Sequence, residues 1–590
     1  MTGDQKTVDP VTIAVIQGAL ENIAVEMGYR LMRMSYSSII RESEDFGAGL
    51  VDASGRGLAE SAQSTPLQSG PIPGYIKGIN RIMAARGEVV RPGDVIMHND
   101  AYSGASHGPD VAFMVPIFHG DRLIAWAGTT AHHLDIGSLT PGSCGIVDAM
   151  DAYAEGLQFK AIKVYEEGRK VPQVWQILRD NIRVSDLVVG DMEAQIAAAR
   201  IGAKRFEELM ARYGVETLEA ACEGAMDHAE RLMRNAIAKL PDGDYTATTY
   251  IDGFLDSPDP KKKALPLVVT LRVRGEEIEV DLTGTADQVD DAPINMPLVG
   301  TADIAIWLTI RSVLLDTAIH GHIPVNEGLT RPIKLTVPKG CLANPIFPAP
   351  TIARFCPGNQ LADTVMKALA QAAPHNVSAG IGNLKVIAFS GLNAGQHWVH
   401  MEIFEGSYGG RPGMDGMDAV DTLYANTRNN PIEDIETHLP LRVSRYELRE
   451  DVVGAGKWRG GLGSVREFEY LADGGASVEG EGHGFAPWGF DGGAEGKPAE
   501  LRLVPPSGGN PRELPSKVPH MRIKAGDIFR CVGPAGGGYG NPLERDPQAV
   551  LDDVLDGLIS TETAKAAFGV IVNVDGTVDM GATAELRKAG

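Results

Sequence analysis

Two short stretches carry the residue types from which a metal centre is built. In His98–Phe113, HNDAYSGASHGPDVAF, Gly104, Gly108 and Pro109 break regular structure and leave His107 and Asp110 on a loop, just before a strand. His132-His133 follows 25 residues after His107, behind a strand pair, and leads into Asp135 and the glycine-rich GSLTPGSCG. Imidazole nitrogens and a carboxylate oxygen from two loops form a donor set suited to a first-row divalent ion. A fourth donor is available in Glu42, Glu44 or Asp45. An isolated His-x-x-Asp is more often a hydrogen-bonded loop pair, and the two clusters together bring the readings level. Cys144, Cys222, Cys341, Cys356 and Cys531 are dispersed without a CxxC pair. That excludes a disulfide framework and a closed thiolate zinc site, so an open, water-bearing site is expected.

Other candidates are weaker. GAGKWRGGLG (454–463) and GPAGGGYG (533–540) look like phosphate cradles but lack the Gly-x4-Gly-Lys-[Ser/Thr] form, and backbone turns are the better reading. Arg354, Arg411, Arg442 and Arg459 could hold a substrate carboxylate or phosphate, but structural ion pairs are the simpler assignment. Lys261-Lys262-Lys263 reads as a solvated loop. With 54 basic and 77 acidic residues the net charge is −23, which argues against nucleic acid as a partner. The polar, mixed-charge start is not a secretory signal, and no apolar run approaches the ~18 residues of a membrane span. A cytoplasmic location follows by default.

The elements that must position these residues are legible in the periodicity. Asp9-Pro10 caps a long helix with Ile16, Leu20, Ile23, Met27, Leu31 and Met34 on one face. Gly47–Gly57 reads as a hairpin turning at Asp52–Gly55, and Val111–Phe118 and Leu123–Ala127 as strands about His119-Gly120-Asp121. Helices are expected over 191–213, 217–240, 300–318 and 359–374. A hairpin about Arg274–Glu276 and a helical tail over 546–558 and 561–568 complete the pattern. At 590 residues the length prior is ~3 or 4 units. The texture divides the chain into an N-terminal α/β segment with the metal residues (1–240), a central mixed segment (241–405), a β-rich, glycine-rich segment (406–545) and a helical tail (546–590). The expected class is α+β, multidomain.

RESEDFGAGLVDASGRGLAES, HNDAYSGASHGPDV, AHHLDIGSLTPGS and RDNIRVSDLVVGDMEAQIAAAR occur in that order. They resemble the N-terminal landmarks of the hydantoinase B/oxoprolinase family. VDLTGTADQV, GGRPGMDGMDAV, LPLRVSRYELREDVVGAGKWRGGLG and GPAGGGYGNPLERDPQAVLDDVLDGLIS resemble its later ones, so the likeness spans nearly the whole chain. In relatives with a metal, the acetone-carboxylase large subunit and lactam-hydrolysing enzymes, the resemblance puts the ligands on His107, Asp110 and His132. The acidic ligand falls on Asp45, with Glu44 its nearest rival. Asp45 and His133 are the implied catalytic groups. His133 would adjoin the ligands or face the substrate, since neighbours on a strand point to opposite sides. The sequence departs from the family where Ser106-His107-Gly108-Pro109-Asp110 replaces Thr-His-Leu-Pro-Asp, and where Gln68 stands in place of a usual histidine.

The resemblance further implies the B subunit of an ATP-dependent amidohydrolase that opens a hydantoin, 5-oxoproline or lactam. One divalent transition metal, zinc or manganese, would sit in this chain. ATP and magnesium would sit in a hydantoinase A-type partner, in an assembly such as A2B2. The rivals are a ketone carboxylase of acetone or acetophenone type and, weakest, a non-catalytic scaffold.

Overall fold

The structure is a computed structural model that describes residues 8–506 and 509–589. Asp9 opens α1 (Pro10–Met34) by accepting a hydrogen bond from the Thr12 amide at 3.0 Å, with Pro10 in the first turn. There follow α2 (Ser38–Arg41), the hairpin β1 (Phe46–Asp52) and β2 (Gly57–Glu60), α3 (Pro66–Ser69) and α4 (Ile72–Arg86). Next come β3 (Val95–His98), β4 (Asp110–His119), β5 (Arg122–His132), β6 (Ile162–Glu166) and β7 (Arg169–Lys170), and then α5 (Pro172–Asn181), α6 (Ser185–Tyr213) and α7 (Val215–Ile237). The strands form one antiparallel sheet in the order β2-β1-β5-β4-β3-β6-β7.

This sheet is buried on both faces. Val111, Phe113 and Val115 pack with α1 and α6, while Ala112, Met114 and Trp126 pack with α4. Contrary to the sequence expectation, α1 has the length and mean hydropathy of a membrane-spanning helix. Its apolar stripe, Ile16, Leu20, Met27 and Leu31, is instead buried in the protein, against α6 and α7. The N-terminal helices differ in part from the periodicity. Helix α4 has Ile72, Ile76, Ile79 and Met83 at helical spacing and was not expected, and α6 starts six residues before 191.

The texture change at Asp242–Asp244 marks the start of β8 (Gly243–Gly253), which pairs with β9 (Lys263–Arg274) and then β10 (Glu277–Asp281). Helices α8 (Asp303–Leu314) and α9 (Thr317–His320), strand β11 (Ile333–Thr336) and helix α10 (Phe355–Leu369) follow. Helix α8 is shorter than the expected 300–318, and α10 starts before and stops short of the expected 359–374. Pro297 and a left-handed Gly300 precede α8, and Ala373-Pro374 lies beyond α10.

Strands β12 (Lys385–Asn393) and β13 (Gln396–Phe404), helix α11 (Ile432–His438), and strands β14 (Leu441–Leu448), β15 (Ser464–Tyr470), β16 (Gly474–Gly480), β17 (Glu500–Val504), β18 (Arg512–Glu513), β19 (Val518–Ile523) and β20 (Ile528–Val532) build two more sheets. Their orders are β13-β12-β16-β19 and β14-β15-β20-β17-β18. Helices α12 (Pro547–Leu555), α13 (Thr561–Phe568) and α14 (Met580–Ala589) form the tail. One buried cluster runs from Leu31 to Tyr539 and joins these parts.

The two glycine motifs lie against each other rather than around an anion. A Cβ on Gly460 would stand 1.9 Å from the Gly536 carbonyl, and one on Gly538 would stand 2.0 Å from that of Ala455. Their amides are used in the protein: Tyr539 N–H donates to Trp458, and Gly536 N–H to Gly461.

Gly47 sits inside β1. The left-handed residue is Glu44, at φ 56°. A Cβ on Gly47 would lie 2.5 Å from the Gln68 carbonyl carbon and 2.6 Å from the Ser69 nitrogen, so glycine lets α3 dock directly on the strand. Gly47→Ala should therefore cost ~1–3 kcal/mol in urea unfolding. Gly18→Ala, in α1 with nothing within 4 Å of the new Cβ, should be neutral or stabilising. Equal effects at the two positions would remove close approach as the reason for Gly47.

Candidate metal centre

Three adjacent strands meet at one end of the sheet, where β5 finishes at His132, β4 begins at Asp110 and Asp45 immediately precedes β1. In the β4–β5 ladder Asp110 stands directly opposite His132. In the β1–β5 ladder Phe46 pairs with Ala131, so Asp45 arrives beside His132, whose amide donates to the Asp45 carbonyl at 3.2 Å. Directly opposed residues project from the same face of a sheet. The loop before β4 returns His107 to that point. His107 Nε2 and His132 Nδ1 are each 3.0 Å from Asp110 Oδ1 and 3.3 Å from each other, and all three side chains are buried.

The hydrogen bonds around this triad determine where its lone pairs point. The Ile352 carbonyl, 2.8 Å from His107 Nδ1, can only accept, so that nitrogen carries the proton and Nε2 the lone pair. Ser143 donates its hydroxyl to the His133 carbonyl and must accept from His132 Nε2–H, which lies 2.9 Å away. His132 Nδ1 therefore also presents a lone pair. Two imidazole lone pairs and a carboxylate oxygen converge with no hydrogen among them. Donors bound to one ion at about 2.1 Å stand about 3.0–3.4 Å apart, so the spacing fits a divalent first-row ion.

Electrostatics keep His107 and Asp110 in their ligating forms. Burial, with the Arg354 guanidinium close by, lowers the His107 imidazole to about 4. Burial alone would raise Asp110, but the Arg354 guanidinium outweighs it and holds its carboxyl well below the usual range. Arg354, itself buried, donates to Asp110 Oδ2 at 2.7 Å and to Ser106 Oγ at 2.8 Å. Gln68 Nε2 donates to Asp110 Oδ1 at 2.8 Å, while its buried Oε1 has no partner among the described residues. Gln68 thus adjoins the triad at the place where relatives usually have histidine.

Within the acidic run, Glu42 pairs with Arg41 at 2.7 Å and Glu44 with Arg428 at 3.1 Å. Asp45 alone turns inward, accepting from Thr65 Oγ1 at 3.3 Å. Burial, partly offset by His132 and reinforced by the charge on Asp110, raises its carboxyl to about 6. Asp45 stands outside the three-donor convergence and lines a small cavity on the open side of the triad, with His132 and Arg354. Phe355, Val386 and Met401 form the cavity's apolar wall. Cys144 also lines it, but burial pushes this thiol well up, so it stays protonated.

His133, expected at the reaction centre, is turned elsewhere. Its Nε2 meets Gln195 Oε1 of α6 at 2.9 Å, and burial lowers the ring to about 4. This side chain does not reach the cavity lining. Two of the remaining arginines form the expected ion pairs, Arg442 with Glu469 at 3.2 Å and Arg459 with Asp418 at 2.9 Å and Asp553 at 3.1 Å. Arg411 meets the sulfur of Met414. Lys262 of the basic run pairs with Asp291 at 2.6 Å.

Sequence reasoning missed the supports: Ser143, Ile352 and Glu155. Buried Glu155 accepts from the Thr351 amide and, at 2.6 Å, from the Ile352 amide, and so pins the segment whose carbonyl orients His107. No local pattern announces contacts 196 and 245 residues apart.

The chain matches the family model of hydantoinase B/oxoprolinase over residues 9–542. It is 62% identical over 585 residues to a protein of Pseudomonas sp. (strain NS671) named as the B subunit of a D-/L-hydantoinase, covering 99% of each chain. The structure of the ATP-dependent caprolactamase from Pseudomonas jessenii matches it with a TM-score of 0.88 at 28% identity, covering 99% of this chain and 100% of that one. Nucleotide-free acetone carboxylase also reaches 0.88, at 19% identity over 98% and 83% of the two chains, which is a likeness of fold alone.

Glu155 makes this support testable by pH. Burial raises its carboxyl from 4.5 to about 8, so folding favours the protonated acid. The stability this contributes is complete below pH 4.5 and is lost as pH rises toward 8. Glu155→Gln keeps one oxygen for both amides and removes the titration. It should flatten the stability–pH curve over that window and leave the neutral-pH fold intact, as read by thermal unfolding. An unchanged slope would mean that Glu155 does not titrate there.

Proposed function

The chain belongs to the hydantoinase B/oxoprolinase family, and on that premise we propose that it is the B subunit of an ATP-dependent enzyme that opens a cyclic amide, a hydantoin, 5-oxoproline or lactam. The observation that carries this reading is the convergence of two imidazole lone pairs and a carboxylate oxygen beside an apolar-walled cavity. His107, Asp110 and His132 would hold a divalent ion, zinc or manganese, with Asp45 as a further oxygen donor. When bound, the ion supplies Lewis acidity at the amide carbonyl.

The chain's own groups do the rest. Arg354 and Gln68 occupy both oxygens of Asp110 and fix its direction. Phe355, Val386 and Met401 shield the triad from bulk water, and the cavity of about 10 Å³ that they line has room for a single water beside Asp45 and His132. Asp45, raised to about 6, is ionised at neutral pH yet basic enough to take a proton from attacking water. An unactivated amide has a poor leaving group, so ATP would phosphorylate its oxygen first. That step belongs to an A-type partner holding ATP and magnesium, because this chain's glycine loops are packed on one another. The names of relatives support a hetero-oligomer such as A2B2, and the ATP requirement supports a cytoplasmic location. Ketone carboxylation is less well supported, since the carboxylase likeness is one of fold.

Purified chain should carry about one divalent transition metal by elemental analysis. His107→Ala should lose it while keeping the circular-dichroism spectrum. A metal-free preparation with full activity in the reconstituted complex would sink the reading. Asp45→Asn should lower turnover by ~10²–10⁴-fold. Loss of metal in the same variant would make Asp45 a ligand, and retained metal would leave it the base. Wild-type turnover would remove it from the site. The chain alone should not turn over ATP, and adding the A-type partner should give hydrolysis that depends on the cyclic amide. ATP turnover by the isolated chain would refute the division of labour.

A further inference from the structure

Behind the triad lies a second cavity, of about 240 Å³, partly open to solvent and lined by β1, β2, α3, α4, α7, α8 and the segment 325–330. Helix α3 separates the two sites: Gln68 donates to Asp110 on one side, while Pro66 and Ser69 line the cavity on the other. The walls are largely apolar, with Leu50, Ile72, Met233, Ile304, Trp307 and Leu329 among them. The charges around it are mostly paired already, Lys77 with Glu327 at 3.0 Å and Arg311 with Glu60 at 3.5 Å.

One charged group is not. Asp303, the first residue of α8, lines the cavity and is 5% exposed. Its Oδ1 accepts both neighbouring amides, Gly300 at 2.8 Å and Ile304 at 2.7 Å. Among the described residues nothing donates to Oδ2, and the acid has no ion-pair partner. Desolvation raises the carboxyl to about 7 against the pull of Lys77, which is itself held by Glu327. An unpaired carboxylate oxygen facing an apolar chamber asks for a ligand with a cationic donor and a hydrocarbon body.

We propose that this cavity binds a small apolar amine, which enters as the ammonium, donates to Asp303 Oδ2 and buries its hydrocarbon body against the walls. An anion would meet Asp303 head on, and an acceptor-only ligand could use only those donors of the same lining that have no partner among the described residues, Trp307 Nε1 and Asn326 Nδ2, leaving Oδ2 unpaired. The site is separate from the triad and does not depend on the reaction proposed for it.

The test uses the full chain and three probes with one hydrocarbon ring: cyclohexylammonium, cyclohexanone and cyclohexanecarboxylate. In calorimetry the ammonium should bind saturably, one per chain, at least about tenfold more tightly than either other probe. Asp303→Asn keeps an oxygen for the two amides and replaces Oδ2 with an NH2 donor. It should weaken ammonium binding by at least about tenfold and improve binding of the ketone. No saturable ammonium binding, equal affinity for the ketone, or binding unchanged in Asp303→Asn would each overturn the proposal. A measurement on the unmodified protein guards against a variant that fails to fold. In crystals soaked with 4-bromocyclohexylammonium the anomalous bromine peak should lie in this cavity, and a peak only elsewhere would overturn it.

Discussion

The register between β4 and β5 is the constraint from which the candidate site follows. With Asp110 opposite His132, and Phe46 opposite Ala131 on the next strand, the ends of three neighbouring strands meet at one place. A slip of one residue would turn Asp110 to the other face. The sheet resists that slip because it is buried on both sides: Val111 and Phe113 would exchange places with Ala112 and Met114. The same alternation explains His133, which belongs to the α6 side and is held there by Gln195.

Placing a carboxylate and two neutral imidazoles in the interior raises an electrostatic problem that the surrounding protein answers. Arg354 supplies a buried countercharge to Asp110, and Gln68 a neutral donor, so the carboxylate is neutralised without losing its lone pair toward the imidazoles. The outward ring nitrogens are satisfied by Ile352 and Ser143, and Ile352 is in turn held by Glu155. Orientation therefore passes from the β4 loop to residues more than two hundred positions away, which gives the later sheets a direct part in shaping the site. The cavity wall shows the same dependence, with Val386 from β12 and Met401 from β13 facing His132.

The glycine-rich half contributes rigidity of a different kind. Where carbonyls such as Gly536 O and Ala455 O would stand about 2 Å from an added Cβ, segments pack backbone against backbone and only glycine fits. Such packing consumes the amide donors that a phosphate would need. A glycine run that looks in one dimension like an anion cradle becomes in three dimensions a joint between β-rich layers.

Much was determined by the sequence alone. Helix α1, its cap and its buried stripe, the β4–β5 and β9–β10 hairpins and the helical tail follow from periodicity and turn chemistry, which act over a few residues. The residue types at 107, 110 and 132, with 45 added by family resemblance, were equally legible, because ligand chemistry is a property of the side chains. What tertiary structure decided is everything that needs distant chain. It chose Asp45 over Glu42 and Glu44 as the inward acid, since Arg41 and Arg428 neutralise the other two at the surface. It gave Gly47 a packing reason, made Arg354 the countercharge of Asp110, sent His133 to α6 and left Asp303 Oδ2 without a donor among the described residues. Burial, charge pairing and tautomer depend on which segments fold against a residue, and local sequence does not encode that choice.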